Sequence, residues 1–149
     1  VTMGSNSEGV TLERQPEPAA GRSPGRKDRH VRVLLVDDHA MIRQGLRSVL
    51  DNYTDVEIVG EACNGEEAVT ATELLHPSVV IMDINMPKMN GVEATRLITT
   101  RQPKTIVIGL SVYAGGVNEM AMKRAGATKL LPKEGAVNEL YQAIQEVLV

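Results

Sequence analysis

The chain has 149 residues, of which 42% are hydrophobic, 23% are charged and 2% are aromatic, and its formal net charge is -3. This length and hydrophobic content suit one globular domain with a full core. The weak net charge argues against a surface that binds nucleic acid or membrane mainly by electrostatics. Trp and Phe are absent, which excludes a Phe or Trp platform for stacking bases.

The cysteine content and the hydropathy pattern limit the cellular locations that suit the chain. Cys63 is the only cysteine, so it cannot form an internal disulfide, and we predict a small buried residue on a strand in a reducing cytoplasm. No apolar stretch is long enough to cross a bilayer, and no signal-peptide pattern opens the chain. The sequence therefore predicts a cytoplasmic location with no membrane contact.

Residues 1–30 differ in composition from the rest of the chain. They are rich in Gly, Ser, Pro and charge, and few of them can contribute to a core. Such a segment cannot offset the entropy lost on ordering, so we predict a flexible, disordered leader. We expect its basic residues to be solvated and the folded domain to cover residues 31–149.

From Val31 onward, strand-like and helix-like segments alternate five times. Each strand-like segment is rich in Val, Ile and Leu, and each helix-like segment carries apolar residues three or four positions apart. The predicted pairs, in chain order, are VRVLLV (31–36) with a helix from about Ala40 to Leu50, VEIVGEAC (56–63) with GEEAVTATELL (65–75), SVVIMDI (78–84) with GVEATRLITT (91–100), TIVIGLS (105–111) with VNEMAMKRAGA (117–127), and TKLLP (128–132) with AVNELYQAIQEVL (136–148).

Strands that are apolar throughout, rather than alternating, indicate a parallel sheet buried on both faces. Right-handed crossovers then give a doubly wound α/β fold, a (βα)5 three-layer sandwich. In this architecture, functional residues gather at the carboxyl ends of the strands. Val137, Leu140, Ile144 and Val147 form one apolar stripe on the last helix, which we expect to face the core.

Chemically active residue types follow four of the five predicted strands. Asp37 and Asp38 follow the first strand, Asp83 the third, Ser111 the fourth and Lys133 the fifth. Three crowded carboxylates repel one another, and a hard divalent cation such as Mg²⁺ removes that cost. Mg²⁺ sites are commonly completed by phosphate oxygens, and a carboxylate can act as nucleophile to form an aspartyl-phosphate. The pattern therefore predicts a cradle for a phosphoryl group.

Each of these residues also has a structural explanation when taken alone. Asp37 or Asp38 can cap the helix that begins near Ala40, and Asp83 can form a turn. Ser111 and Lys133 are ordinary surface residue types. His39 and His76 are interpreted as surface or capping residues with no second ligand at metal spacing. The occurrence of all these types at successive strand ends favours a single site.

Two other function classes fit the fold but not the residues. A flavin-binding domain needs a phosphate-binding loop after the first strand, where Asp37 and Asp38 would repel a phosphate. A haloacid-dehalogenase-type phosphatase normally carries a second Asp two residues after its nucleophile. Here Asp83 is followed two residues later by Asn85, so we expect no hydrolase activity on other substrates.

Together, LLVDDH, DINMPKMNG, LS and LPKE, in this order and spacing, resemble the response-regulator receiver domains of two-component signalling. The resemblance covers residues 31–149. The segments VDDHAMIRQGLRSVL and DINMPKMNGVEATR are most similar to the NarL/FixJ-like receivers that precede a LuxR-type helix-turn-helix. The resemblance implies a flavodoxin-like sheet with five parallel strands in the order 2-1-3-4-5.

The resemblance also implies roles for the site residues. Asp83 is expected to accept a phosphoryl group from a sensor histidine kinase. Asp37, Asp38, Asp83 and the backbone carbonyl of Asn85 are expected to hold Mg²⁺, for which Mn²⁺ is an expected substitute.

Two further residues are expected to respond to the phosphoryl group. Lys133 contacts its oxygens, and Ser111 moves toward it as the switch hydroxyl. The protein is then a signalling receiver and not an enzyme, apart from its own phosphorylation and dephosphorylation.

Some positions depart from the family pattern. The strand-five position that is often aromatic is Leu130, the residue after the switch hydroxyl is Val112, and Glu134 follows the lysine. These changes leave the residues of the phosphoryl chemistry intact, but they argue against the usual coupling between that site and the output surface. We therefore expect the signal to leave through the Ser111 loop and the helix after it, residues 117–125, with Tyr113 the side chain that reorients.

The expected output is transcription control through a DNA-binding domain that the chain does not include, with homodimerisation on phosphorylation. Two origins of the chain fit the sequence. One is a receiver excised from a longer transcription factor, which the resemblance favours, and the other is a natural single-domain regulator. A receiver-like domain that never carries phosphate is a further alternative. The five positions expected to supply the chemistry are nevertheless all filled, by Asp37, Asp38, Asp83, Ser111 and Lys133.

Overall fold

The computed structural model describes residues 11–12, 30–112 and 116–148. Its described strands form one six-stranded sheet, and five α-helices and one short 3₁₀ helix accompany it. The strands are β1 (Thr11–Leu12), β2 (Val31–Val36), β3 (Val56–Ala62), β4 (Val79–Asp83), β5 (Ile106–Ser111) and β6 (Lys129–Pro132). The helices are α1 (Ala40–Leu50), α2 (Gly65–Leu75), α3 (Gly91–Arg101), α4 (Gly116–Ala125), the 3₁₀ helix Lys133–Gly135, and α5 (Ala136–Val147).

The sheet order is β1-β3-β2-β4-β5-β6, and β2 to β6 are parallel. Counted among the parallel strands alone, this is the predicted order 2-1-3-4-5, so the fold class is confirmed. The sequence did not predict β1, a two-residue strand that pairs antiparallel with β3 through Thr11↔Glu61 and Leu12↔Gly60. The other residues of the predicted leader, up to residue 29, lie outside the described part of the chain.

Two apolar clusters pack on opposite faces of the sheet and make the three layers. Successive residues of β2 point to opposite faces, because side chains alternate along a strand. Leu34 and Val36 join a cluster with residues of α2, α3 and α4, whereas Val33 and Leu35 join a cluster with residues of α1 and α5. The sheet is thus covered on both faces, which explains why its strands are apolar throughout.

The predicted helix faces are largely, but not fully, buried. Leu140 and Ile144 of α5 are buried in the core, whereas Val137, predicted on the same stripe, is 41% exposed. In α1, Leu46 and Leu50 are buried and Ile42 is exposed. Both exposed residues lie in the first turn of their helix, and the prediction from periodicity that Val137 faces the core is wrong.

No helix in the described ranges is both long and apolar enough to span a bilayer.

Candidate functional site

Three acidic side chains and one lysine meet at the carboxyl edge of the sheet. Asp37 directly follows β2 and Asp83 ends β4, and both residues are almost fully buried, at 1% and 2% exposure. Lys133 begins the 3₁₀ helix after β6, and its ammonium lies 2.9 Å from Asp37 Oδ2 and 3.3 Å from Asp83 Oδ1. Parallel topology brings these residues together, because all the strands end at the same edge.

His39 and Asp38 complete the acidic cluster on its exposed side. His39 Nδ1 lies 3.0 Å from Asp37 Oδ1 and 3.1 Å from Asp38 Oδ1. One donor atom from each of Asp37, Asp38, His39 and Asp83 can be chosen so that all four lie within 4.8 Å of one another. Such a group has the size and the ligand types of a cation site.

Asp83 bears the main electrostatic cost of this arrangement. Burial, followed by the negative charge of Asp37, raises the pKa of the Asp83 carboxyl from 3.8 to about 6, although Lys133 and the Asn85 backbone N–H oppose the shift. The Oδ2 atom of Asp83 is buried and has no hydrogen-bond partner among the described residues. An unpaired buried carboxylate oxygen is costly unless a cation or another donor arrives.

Lys133 stays charged in spite of its partial burial. Burial by itself would lower the pKa of its ammonium, but the hydrogen bond and charge of Asp37, and then Asp83, outweigh burial and raise that pKa. The site therefore carries a fixed positive charge on the side of β6. A single ammonium does not balance three carboxylates, so the cluster favours a further cation.

The backbone around Asp83 is packed too closely for any side chain at position 91. Gly91 begins α3, its N–H donates to the carbonyl of Ile84 at 2.8 Å, and a Cβ there would overlap the carbonyl oxygen of Asp83. This contact holds the start of α3 against the end of β4. The glycine is therefore part of the construction of the site.

Comparison with known proteins identifies the family. The family model described as the response regulator receiver domain matches residues 33–145. The chain belongs to this family. It is a phosphoryl-accepting signalling domain with the flavodoxin-like fold predicted from its motifs, and the resemblance inferred from the sequence is confirmed.

Two curated relatives have names that belong to different function classes. The chain is 36% identical over 117 residues to the transcriptional regulatory protein DegU of Brevibacillus brevis, covering 78% of this chain and 50% of that protein. It is 35% identical over 122 residues to a protein-glutamate methylesterase/protein-glutamine glutaminase of Methanosarcina mazei, covering 81% and 34%. The chain thus spans between a third and a half of these relatives.

One similar solved structure was determined as a complex that includes BeF₃ and Mg²⁺. The chain matches, with a TM-score of 0.74 and 26% identity, a chain from the crystal structure of the CheX–CheY–BeF₃–Mg²⁺ complex of Borrelia burgdorferi. The match covers 79% of this chain and 89% of that one.

The receiver fold brings together most of the residues predicted from sequence. Asp37, Asp38, Asp83 and Lys133 form one cluster. Ser111 ends β5, is fully buried, and stands in register with Pro132 on β6. Asn85 is exposed just beyond β4, and the role of its carbonyl stays a prediction, as do the individual roles of the other site residues.

The structure decides two of the local alternatives. The N-cap of α1 is His39, with no side-chain cap bond, and Asp37 Oδ1 instead accepts from the His39 N–H at 2.9 Å. Neither Asp37 nor Asp38 therefore caps α1. His39 is a surface residue at the cap position, as predicted, but the expectation that it has no ligand partner nearby is wrong, because two carboxylates adjoin it.

The positions that depart from the family pattern show ordinary packing. Leu130 is partly buried against the cluster formed with α2, α3 and α4, and Gly109 leaves room for it, since a Cβ there would lie 2.7 Å from Leu130 Cδ1. Val112 is 60% exposed. Tyr113, predicted to reorient, lies outside the described residues.

A cavity of about 610 Å³ opens at the opposite edge of the sheet. No carboxylate side chain lines it in the described part of the chain. The lining residues are His76, Pro77, Ser78, Gln102, Pro103, Lys104, Thr105, Ile106 and Leu148. An aspartyl-phosphate forms only on a carboxylate, so this cavity does not match the site predicted from the sequence.

Proposed function

We propose that Asp83 is the residue that carries the phosphoryl group of this receiver. The observation that supports this best is its buried Oδ2, which has no hydrogen-bond partner in the described ranges and sits beside the Lys133 ion pair. In the reaction, a carboxylate oxygen of Asp83 forms a bond to phosphorus, and the bond between phosphorus and the nitrogen of a kinase phosphohistidine breaks. The departing imidazole takes up a proton.

Asp37, Asp38, Asp83 and the backbone carbonyl of Asn85 are the proposed ligands of Mg²⁺, and Mn²⁺ is the proposed substitute. These residues fit Mg²⁺ because they offer oxygen donors and because the single ammonium of Lys133 does not balance the three carboxylates. When bound, the ion neutralises charge that develops on the phosphoryl oxygens. The Borrelia neighbour was solved in a complex that includes Mg²⁺, which supports the same ion here.

Lys133 and Ser111 are the proposed partners of the phosphoryl oxygens once Asp83 is modified. Lys133 is already drawn toward Asp83, 3.3 Å away. Ser111 ends β5, the strand beside β4, so a short movement of its loop brings a hydroxyl donor to the new charge. Such a switch shifts the population between two arrangements of that loop.

We further propose that this receiver acts in the cytoplasm with a sensor histidine kinase and controls transcription, with DNA contacted by a separate helix-turn-helix domain. The similarity to DegU, a transcriptional regulatory protein by name, supports this output. In the proposal, phosphorylation promotes homodimerisation, and the domain catalyses only its own phosphorylation and dephosphorylation.

Intact-mass measurement tests the assignment of Asp83. The full chain is incubated with Mg²⁺ and acetyl phosphate and then weighed. We expect the wild type and Asp51→Asn, which alters an exposed carboxylate at the far end of α1, to gain one phosphoryl mass, and Asp83→Asn to gain none. Omission of Mg²⁺ should abolish the gain in wild type and in Asp51→Asn. Equal labelling of Asp83→Asn and wild type would overturn the assignment.

A further inference from the structure

Arg43 links the acidic cluster to two other elements of the fold. Its Nε donates to Glu61 Oε1 on β3 at 2.7 Å, and its Nη1 donates to the backbone carbonyl of Asp37. The side chains of Arg43 and Glu61 are each only 18% exposed. One guanidinium on α1 thus contacts both β3 and the segment after β2, in the forked geometry that only arginine provides.

The Asp37 carbonyl belongs to the peptide that connects Asp37 to Asp38, so its position affects both acids. The Asp37 N–H donates to the Ala62 carbonyl at 3.1 Å, so the two hydrogen bonds hold both polar groups of the Asp37 backbone. The peptide between Asp37 and Asp38 then has a set orientation, and that orientation sets the direction of the Asp38 side chain. The side chain of Asp38 is 28% exposed, so packing restrains it less than it restrains the buried side chains of Asp37 and Asp83.

Glu61 is held from two sides, which makes it a firm anchor for Arg43. Arg47, one helical turn further along α1, donates to Glu61 Oε2 from Nη2 at 2.6 Å and from Nε at 3.0 Å. Burial would raise the pKa of the Glu61 carboxyl, but the hydrogen bonds from Arg47 and Arg43 outweigh it and lower that pKa. The carboxylate stays charged and binds one guanidinium on each oxygen.

We propose that Arg43, anchored by Glu61, is a positioning residue for the Mg²⁺ site, which acts by holding the Asp37–Asp38 peptide so that the Asp38 carboxylate faces the metal. This inference rests on the proposed function of the acidic cluster. Groups behind the metal ligands commonly set ligand orientation in this way.

The sign of the effect separates positioning from simple electrostatics. Arg43 is a cation near a cation site, so by Coulomb's law alone its removal should tighten Mg²⁺ binding. Positioning predicts the opposite, weaker binding. Arg43→Lys keeps the charge but loses the fork, so electrostatics predicts no change for it and positioning predicts a loss.

Calorimetric titration of the full chain with Mg²⁺ provides the test. We expect Arg43→Gln and Arg43→Lys to bind Mg²⁺ roughly tenfold more weakly than wild type, the lower range for outer-shell partners of metal ligands. Arg47→Gln is the matched control, because it removes a guanidinium from the same carboxylate on the same helix, and we expect its affinity to stay within about twofold of wild type.

Thermal melting without Mg²⁺ checks folding of each variant. If one Arg43 variant fails to fold, the other carries the test alone, because positioning predicts a loss of affinity for both and electrostatics predicts a loss for neither. Unchanged or tighter binding by Arg43→Gln, or an equal loss in Arg47→Gln, overturns the inference. If wild type itself binds no Mg²⁺, the proposed metal site fails, which is a different result from wild-type binding that Arg43 does not affect.

Discussion

The two edges of the sheet are held in opposite ways. At the carboxyl edge, Asp83 is buried beside a like charge, and one of its oxygens lacks a hydrogen-bond partner in the described structure. At the amino edge, polar groups are paired: the Tyr141 hydroxyl donates to Asp55 at 2.9 Å, and the Tyr53 and Tyr141 rings stack with centroids 3.6 Å apart.

This difference separates the parts of the fold that give stability from those that give function. The carboxyl edge holds charges at a cost in the free energy of unfolding, as binding sites commonly do. The amino edge closes the layers with satisfied contacts. Substitutions that relieve the carboxyl edge should therefore stabilise the metal-free protein, whereas substitutions at the amino edge should only weaken it.

The largest effect is expected where the backbone itself forms the carboxyl edge. Gly91→Ala places a Cβ on top of the Asp83 carbonyl oxygen, and backbone on both sides cannot move away cheaply. We expect a loss of about 3 kcal/mol in the free energy of unfolding, measured by urea denaturation.

The matched control for Gly91 is a glycine in an open position. Gly45 lies within α1, and a Cβ there meets no atom within 4 Å. Gly45→Ala should stabilise the protein by about 0.5–1 kcal/mol, because Ala favours the helix. Equal effects at positions 45 and 91 would show that the tight contact at the carboxyl edge does not constrain the fold.

The second effect, of opposite sign, comes from Asp83→Asn without Mg²⁺. Well below the ordinary pKa of 3.8, Asp83 is protonated in folded and unfolded chains alike. As the pH rises from about 4 to about 6, the unfolded chain ionises first, because the folded pKa is about 6 and the ordinary value is 3.8, so the wild type loses stability that Asp83→Asn keeps.

At pH 7 we expect Asp83→Asn to exceed wild type by on the order of 2 kcal/mol, with the difference shrinking toward pH 4. Thermal melts across this pH range provide the measurement, and Asp51→Asn serves as the exposed control. A melting temperature for Asp83→Asn at or below wild type at pH 7 would mean that the carboxyl edge carries no such cost.

The third effect is a loss at the amino edge. Tyr141→Phe removes the hydroxyl that contacts both oxygens of Asp55, at 2.9 and 3.1 Å, but keeps the ring stacked on Tyr53. We expect a loss of about 0.5–1 kcal/mol in urea denaturation, with Mg²⁺ affinity unchanged. Weaker Mg²⁺ binding in this variant would contradict the separation of the two edges.

The smallest effect is a change in dynamics rather than in stability. Beryllofluoride with Mg²⁺ mimics the phosphoryl group, and we expect it to change amide hydrogen exchange most in residues 111–125, with residues 51–56 at the amino edge unaffected. Changes confined to residues 85–92 would show that the signal leaves through the loop after β4, and not through the Ser111 loop and α4.

The sequence by itself determined the order of elements and which residues meet in the cluster at the carboxyl edge. Apolar strands and periodic helices depend on local patterns, so most element bounds agree with prediction within one or two residues. Asp37, Asp38, Asp83 and Lys133 were found because strand ends in a parallel sheet must share one edge.

Only the tertiary structure decided how those residues interact. The raised pKa of Asp83 and the link from Arg43 to Glu61 depend on burial and contacts that distant segments supply. The same holds for the exposure of Val137 and for β1, which adds to the edge strand β3. Local pattern names the residues of a site, but desolvation and charge pairing arise only when distant parts of the chain pack together.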